Sequence, residues 1–145
     1  MRLTLHTDYS LRVLVFLALR PSERVATQTI ADAYGLSHAH LQKIVRSLGA
    51  LELVSLHRGV GGGVELAVDP EEISVGAVVR ALSEDTALVE CFEPQTDACV
   101  ISPACALKSG LKEAREAFYA VLDPLTIGSV VRGGRGRKLG PLLGR

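Results

Sequence analysis

Three features of the sequence predict a mainly α-helical fold with one small β-hairpin. Apolar residues recur at helical spacing in several separate stretches of the 145-residue chain. Residues 51–68 instead alternate apolar and polar positions on either side of a glycine-rich centre, which is typical of a hairpin. All three cysteines, Cys91, Cys99 and Cys105, lie in a loop-like segment between two predicted helices.

The length and composition of the chain limit what it can be. Its 145 residues suit one ordinary domain, and a hydrophobic content of 48% is enough for a core. There is no Trp and aromatic residues make up 4%, which argues against an aromatic platform for single-stranded nucleic acid. No apolar run reaches membrane-spanning length and no signal peptide is evident, so we expect a cytoplasmic protein with no membrane partner.

The first predicted helix covers residues 7–19, with Thr7 as its N-cap. Apolar residues fall on nearly every face of this helix, so we expect it to be largely buried. Asp8 and Arg12 are four residues apart and should face each other near its start. The simplest interpretation of Asp8 is that its charge complements the helix dipole.

The next two helices are predicted at residues 27–34 and 38–51, joined by a tight turn. Gly35 suits the C-cap of the first and Ser37 the N-cap of the second. The second helix has a polar, basic face opposite an apolar stripe of Leu41, Ile44, Val45 and Leu48. This arrangement is typical of a helix-turn-helix, although many short helical pairs of this kind bind nothing.

The glycine-rich centre of the hairpin, residues 57–63, has two interpretations. It is either a flexible turn or a wing whose glycine backbone approaches DNA phosphates while Arg58 enters the minor groove. A helix-turn-helix followed by a wing favours winged-helix DNA binding over any enzyme. The net charge of zero does not exclude this, because residues 1–68 carry a local charge of +2.

We therefore expect double-stranded DNA to contact three parts of the chain. The start of the second helix of the helix-turn-helix, the recognition helix, should enter the major groove. The wing should reach the neighbouring minor groove. The N-terminal residues should add phosphate contacts. The expected DNA-contacting residues are Arg2, Thr4, Ser37, His38, His40, Lys43, Arg58, Gly59, Gly61 and Gly62.

Two further helices are predicted on either side of the cysteines. Ser74 suits the N-cap of a helix over residues 75–85, and a longer helix runs from Cys105 to Asp123. A long amphipathic helix near the end of a winged-helix protein usually packs against its twin, although it could also pack on its own domain. Because of Pro124, the sequence does not predict where this helix ends. One more helical turn is expected after Thr126.

This organisation divides the chain into three parts. Residues 1–70 form the winged helix-turn-helix region, and residues 71–131 form the cysteine loop and the dimerisation helix. Residues 132–145 are rich in glycine and arginine and are expected to be a flexible basic tail.

The cysteine spacing allows two interpretations. Seven residues separate Cys91 from Cys99 and five separate Cys99 from Cys105, with no Cys-x-x-Cys pair, so a zinc finger and a thioredoxin-like site have no support. An odd number of cysteines argues against a disulfide framework. Three thiolates suit an iron–sulfur cluster, zinc or Cu(I), with a fourth ligand from elsewhere. The alternative is that the cysteines are small buried apolar residues.

Residues 1–131 resemble the dimeric winged-helix iron–sulfur regulators that include NsrR, IscR and RirA. The resemblance rests on MRLTLHTDYSLR, LQKIVRSLGALELVSLHRGVGGGVELA and ISVGAVVRALSED, and on LVECF with the cysteine motif C-x-I-x-P-A-C-x-L-K. The cysteine motif is the most specific of these, and it looks most like the nitric-oxide-sensing NsrR type.

The resemblance implies a set of ligands and a cofactor. Cys91, Cys99 and Cys105 would bind an iron–sulfur cluster, and Asp8 of the partner subunit would complete the site, with Arg12 holding that carboxylate. We expect a [4Fe–4S] cluster, with [2Fe–2S] as the alternative. IscR-type proteins have a histidine ligand at the position of Lys108, which counts against that type.

The expected function is that of a homodimeric repressor that releases operator DNA when nitric oxide reacts with its cluster. An iron-responsive repressor of the RirA type is the close alternative. A regulator of the same fold without a cluster, sensing redox state or a metabolite, is also open. We do not expect an enzyme, because no catalytic triad or carboxylate pair is visible and Gly61-Gly62-Gly63 lacks the Lys-Ser/Thr of a phosphate-binding loop.

Overall fold

The computed structural model describes residues 3–83, 88–134 and 136–144. Short 3₁₀ turns cover Glu90–Phe92, Ser102–Ala104 and Gly136–Lys138. The longer elements are α1 (Leu5–Ala18), α2 (Thr27–Tyr34), α3 (His38–Ala50), β1 (Val54–His57), β2 (Gly63–Leu66), α4 (Val75–Leu82), α5 (Ala106–Leu122), α6 (Ile127–Arg132) and α7 (Leu139–Leu142). The predicted class, mainly helical with one hairpin, is confirmed.

Helix α1 lies at the centre of the fold, packed against α3, α4, α6 and β2. It begins two residues earlier than predicted, because Thr4 and not Thr7 is the N-cap. The Thr4 hydroxyl accepts the backbone N–H of Thr7 at 3.1 Å. The Thr7 hydroxyl is fully buried and donates to the carbonyl of Leu82 at 3.3 Å. A tertiary contact to the end of α4 therefore decides which threonine caps the helix.

Helices α2 and α3 form the predicted helix-turn-helix. Gly35 ends α2 in the left-handed conformation, with φ of 63°. Ser37 caps α3 by accepting the backbone N–H of His40 at 3.2 Å. The apolar stripe of α3 is buried as predicted, with exposed fractions of 0–1% for Leu41, Ile44, Val45 and Leu48.

The hairpin pairs β1 with β2 in antiparallel register from Val54 opposite Leu66 to His57 opposite Gly63. Val25, which precedes α2, extends this small sheet by one bridge. Its N–H donates to the carbonyl of Val64 at 3.0 Å, and the N–H of Val64 donates back at 2.8 Å. The wing is thereby anchored to the helix-turn-helix, because Val25 and Val64 are both buried in the core.

Helices α4 and α6 share one hydrophobic core with the winged helix. Val78, Val79 and Ile127 are buried in the same cluster as the apolar residues of α1 and α3. Ser74 caps α4 as predicted, accepting the N–H of Ala77 at 3.2 Å. The expected division at residue 70 therefore does not separate two cores.

Helix α5 has no buried residue. Near its C-terminal end, Phe118, Tyr119 and Leu122 are half-buried against the core. Of its other apolar residues, Leu107 and Val121 are 68% and 73% exposed and Leu111 is half-buried. Helix α5 ends at Leu122, two residues before Pro124, and α6 begins after the Thr126 cap as a separate helix.

Residues 136–144 differ from the flexible tail that we expected from their composition. They form a 3₁₀ turn followed by α7. Arg20 at the end of α1 is 9% exposed, and its guanidinium donates to the carbonyl of Leu143 at 2.9 Å. Its Cζ also lies 3.9 Å from the ring centroid of Phe16. This long-range contact binds the C-terminal segment to the rest of the domain. The composition of the segment does not predict such a contact.

None of the helices in the described ranges combines the length and the apolar character that crossing a bilayer requires.

Candidate functional site

The N-terminal end of α3 carries the side chains expected to meet DNA. His38 is half-buried, and its Nε2 lies 2.8 Å from the hydroxyl of Thr27, which links α3 to α2. His40 is also half-buried, with its ring edge-on to Tyr9 at a centroid distance of 5.4 Å. Lys43 is exposed. Both histidine rings therefore make contacts within the chain, whereas the Lys43 side chain extends into solvent.

A groove runs between α3 and the wing. One wall contains Arg58 and Gly59 of the wing, and the other contains Gln42 and Arg46 of α3. Gln28 of α2 also lines the groove. The two glutamines and Arg46 are not among the DNA contacts predicted above, although Gln42 and Arg46 continue the polar face that begins at His38 with spacings of four residues.

The backbone at the wing tip forms a tight turn in which neighbouring peptide groups lie close together. Gly59 and Gly61 adopt φ of 86° and 75°, where other residues are strained. Gly62 donates its N–H to the carbonyl of Gly59 at 2.9 Å. A Cβ at Gly62 would lie 2.5 Å from the carbonyl oxygen of His57, so the turn has no room for a side chain. Arg58 is left exposed at the tip.

The two remaining expected DNA contacts lie at the N-terminus. The Thr4 hydroxyl caps α1, as described above, and the residue itself is exposed. Arg2 lies outside the described residues.

The three cysteines are free thiols, and each is half-buried. Cys91 lies in the turn Glu90–Phe92, and Cys105 occupies the N-cap position of α5. Within residues 3–83, 88–134 and 136–144, no three His, Cys, Asp or Glu side chains lie close enough together to bind a metal. The structure therefore does not bring the predicted ligands together within one chain.

The loop is nevertheless attached to α5 at residues beside or at each cysteine. Beside Cys91, the ring of Phe92 lies 5.0 Å from the Cζ of Arg115. The N–H of Cys99 donates to the Asp97 carboxylate at 3.1 Å, and that carboxylate meets the Lys108 ammonium at 3.4 Å. The third cysteine, Cys105, is directly continuous with the helix. Helix α5 is therefore the platform of the cysteine loop.

The Asp97 carboxylate is the centre of a small polar network. Besides the N–H of Cys99, it accepts the hydroxyl of Ser102, and Lys108 donates to the same hydroxyl at 2.8 Å. The hydrogen bond from Ser102 lowers the pKa of Asp97, helped by the Cys99 N–H and by Lys108. Sequence spacing does not reveal this network, because its members are 5 to 11 residues apart.

Asp8 lies on the solvent side of α1 and pairs with Arg12. The guanidinium donates twice, from Nε at 3.2 Å and from Nη2 at 2.7 Å. The two side chains are 38% and 46% exposed, so the carboxylate is accessible to a second chain. The predicted contact between Asp8 and Arg12 is confirmed, whereas the metal-binding role of Asp8 stays a prediction.

A second ion pair joins the end of α5 to α4. Arg80 binds the Asp123 carboxylate through both terminal nitrogens, with Nη2 to Oδ2 at 2.9 Å, and its Cζ lies 4.1 Å from the ring centroid of Tyr119. The hydroxyl of Ser74 donates to the carbonyl of Asp123 at 2.9 Å. Hydrogen bonding to Arg80 lowers the pKa of Asp123. These contacts connect the cysteine-bearing helix to the core of the winged helix.

The donor set suits an iron–sulfur cluster. Free, half-exposed thiols are soft ligands, and Cys105 stands at a helix N-terminus, where the helix dipole stabilises negative charge. A loop with three thiols needs one ligand from elsewhere. The accessible carboxylate of Asp8 is of a suitable type for that position.

Comparison with known proteins gives a consistent picture. The family model Rrf2, described as an iron-dependent transcriptional regulator, matches residues 3–133. The HTH-type transcriptional regulator NsrR of Bacillus subtilis (strain 168) is 49% identical over 133 residues, which is 91% of each chain. The HTH-type transcriptional repressor NsrR of Streptomyces coelicolor is 39% identical over 133 residues, covering 90% of this chain and 88% of the relative.

A solved structure of T. potens IscR superposes with a TM-score of 0.73 at 23% identity and covers 91% of this chain and 87% of that one. At this identity the likeness concerns the fold alone, and it confirms the winged-helix architecture.

Proposed function

Because the chain belongs to the Rrf2 family of transcriptional regulators, we propose that it is a DNA-binding repressor controlled by an iron–sulfur cluster that reacts with nitric oxide. Membership of a family of regulators also confirms the expectation that this is not an enzyme. The observation that carries the proposal is that the loop with the three free cysteines is attached to α5 at Phe92, Asp97 and Cys105. The other end of α5 is bound to the winged-helix core through Arg80 and Asp123.

Cys91, Cys99 and Cys105 would hold the cluster, and Asp8 of the partner subunit would supply an oxygen ligand. The same four donors suit a [4Fe–4S] or a [2Fe–2S] cluster, and we favour [4Fe–4S]. When bound, the cluster supplies iron atoms that react with nitric oxide. Arg12 donates two hydrogen bonds to the Asp8 carboxylate and would orient it for ligation on the surface of α1.

The uncovered face of α5 supports a homodimer. Leu107 and Val121 are both mostly exposed, and Leu111 and Ala114 lie between them at helical spacing. A row of exposed apolar residues along one long helix is typical of a surface that a second copy covers. The dimer would also bring Asp8 of one chain to the cysteines of the other.

A two-fold dimer would present two copies of α3 to a pseudo-palindromic operator. Lys43 and Arg46 are exposed on α3 and would meet the major groove together with the half-buried Gln42. Arg58 would reach the minor groove from the wing tip. These cations would also give operator binding a strong salt dependence.

The route from the loop to DNA follows contacts within the chain. Helix α5 is attached to α4 by the pair of Arg80 and Asp123, and α4 packs against α1. Helix α1 in turn packs against α3. A change in how the cysteines are held, or loss of the Asp8 contact, would therefore shift the two recognition helices relative to each other. Each 1.4 kcal/mol of differential binding changes operator affinity about tenfold.

A second candidate is an iron-responsive repressor of the RirA type. The family description, an iron-dependent transcriptional regulator, favours it. It would use the same donors and the same DNA surface, and only the signal would differ.

The test is a nitric oxide titration of anaerobically purified protein, with visible absorbance and operator binding followed in the same samples. We expect the cluster absorbance to bleach and operator binding to fall together, at a few nitric oxide molecules per cluster. Binding that ignores nitric oxide but falls on iron chelation would favour the iron-responsive candidate. Protein without any cluster absorbance would contradict both.

A further inference from the structure

The polar network of Asp97, Ser102 and Lys108 holds the second half of the cysteine loop to the first turn of α5. We infer that these three are positioning residues, which order residues 97–105 before the cluster is bound and thereby ease its uptake by Cys99 and Cys105. The inference deepens the proposed function and rests on it, since it concerns the same loop. Lys108 thereby has a structural role at the position where IscR-type proteins have a histidine ligand.

The geometry supports this assignment step by step. Asp97 uses one carboxylate oxygen for the N–H of Cys99, at 3.1 Å, and the other for Ser102 and Lys108. Lys108 lies in the first turn of α5, three residues after Cys105. The network therefore closes a ring of chain that begins two residues before Cys99 and ends three residues after Cys105, so both cysteines lie inside it.

The network is also partly shielded from solvent, which strengthens its hydrogen bonds. The Asp97 side chain is 17% exposed and that of Lys108 is 36% exposed, whereas the ion pair between Asp8 and Arg12 is more open. Charge-assisted hydrogen bonds that are partly removed from water stabilise more than surface ion pairs do. Two backbone hydrogen bonds lie inside the ring, from the N–H of Ser102 to Cys99 and from that of Ala104 to Ile101, both at 3.0 Å.

Cys91 lies outside this ring. Its turn touches α5 only through the aromatic contact of Phe92 with Arg115, among the contacts described. The network should therefore order Cys99 and Cys105, whereas Cys91 should bind the cluster last.

The first measurement is hydrogen–deuterium exchange of the full-length, cluster-free protein. Lys108→Met removes the ammonium but keeps the aliphatic chain, and Lys112→Met is the matched control one turn along α5. Ser102→Ala removes the shared hydroxyl, with exposed Ser109→Ala as its control. We expect exchange in residues 97–105 to become about fivefold faster in Lys108→Met and Ser102→Ala, as for the loss of one such hydrogen bond.

Peptides that cover Cys91 and α1 should exchange at the wild-type rate in all four variants, which also verifies folding. The second measurement is stepwise anaerobic reconstitution with ferrous iron and sulfide, read as iron per chain and visible circular dichroism. Lys108→Met and Ser102→Ala should need about fivefold more iron at the midpoint but reach the wild-type endpoint. Loss of a ligand, as in Cys99→Ala, would instead change the endpoint and the spectrum.

The outcomes separate the two proposals. If wild-type protein takes up no cluster, the proposed function fails, whatever the exchange rates are. If wild type is loaded but Lys108→Met behaves like Lys112→Met in exchange or in the reconstitution midpoint, the positioning role is wrong and the proposed function is unaffected.

Discussion

The exposed leucine at the start of α5 allows a quantitative test of the dimer. Leu107 is 68% exposed in the single chain. Burying a whole leucine side chain contributes about 1.5–3 kcal/mol, so covering this exposed part contributes about 1–2 kcal/mol. A symmetric dimer has two such residues. We therefore expect Leu107→Ala to cost about 2–4 kcal/mol of association free energy, which raises the dimer Kd about 30- to 1000-fold.

The matched control is Leu142→Ala in α7. Leu142 is 78% exposed and of the same residue type, but it lies on a different part of the chain. Sedimentation equilibrium of both variants, over a range of concentrations, gives the dimer Kd directly. Iron per chain is measured in parallel, since Leu107 is only two residues from Cys105. Equal dimer Kd values for wild type, Leu107→Ala and Leu142→Ala would refute the assignment of this face to a second copy.

Three further predictions concern the wing, the proposed oxygen ligand and the link between helices. Gly62→Ala places a Cβ where the turn has no room, so the wing tip must shift; we expect operator affinity to fall about tenfold in fluorescence anisotropy and thermal stability to fall by about 1–3 kcal/mol, and wild-type operator affinity would contradict the role of the tip. Asp8→Ala removes the surface ion pair with Arg12 and a favourable charge in the first turn of α1, which together cost about 1 kcal/mol in a urea melt; a changed cluster spectrum in the folded variant would report lost ligation, and an unchanged spectrum and nitric oxide response would contradict that role. The pKa of Asp123 is lowered by Arg80, so this pair stabilises the fold above the ordinary aspartate pKa and the stabilisation is lost as the pH falls below about 4. Urea midpoints of Asp123→Asn should consequently fall less steeply than those of wild type between pH 5 and pH 3, and parallel curves would exclude the linkage.

Local rules explain why much of the DNA-binding region could be predicted. The stripe on α3 follows from spacings of three and four residues, and all four members are buried. The caps at Gly35 and Ser37 depend on conformations that these residue types favour by themselves. The alternating pattern on either side of the glycines likewise predicted both strands. In each case the residues that decide the structure are neighbours in sequence.

The errors and omissions have a common cause, which is contact between distant residues. Either Thr4 or Thr7 could cap α1, and the choice depends on the bond from Thr7 to Leu82, 75 residues away. The C-terminal segment has the composition of a flexible tail, yet Arg20 binds the carbonyl of Leu143, 123 residues away. A pattern search over a short window has no access to such pairs.

The same division applies to the candidate site. Residue type and spacing were enough to predict the class of fold, the helix-turn-helix with its wing, and three thiols in one loop. The folded chain was needed to find that the loop is attached to α5 at Phe92, Asp97 and Cys105, and that α5 is bound to α4 by Arg80 and Asp123. These attachments depend on which side chains the packed core brings face to face, and that is a property of the whole chain and not of any segment.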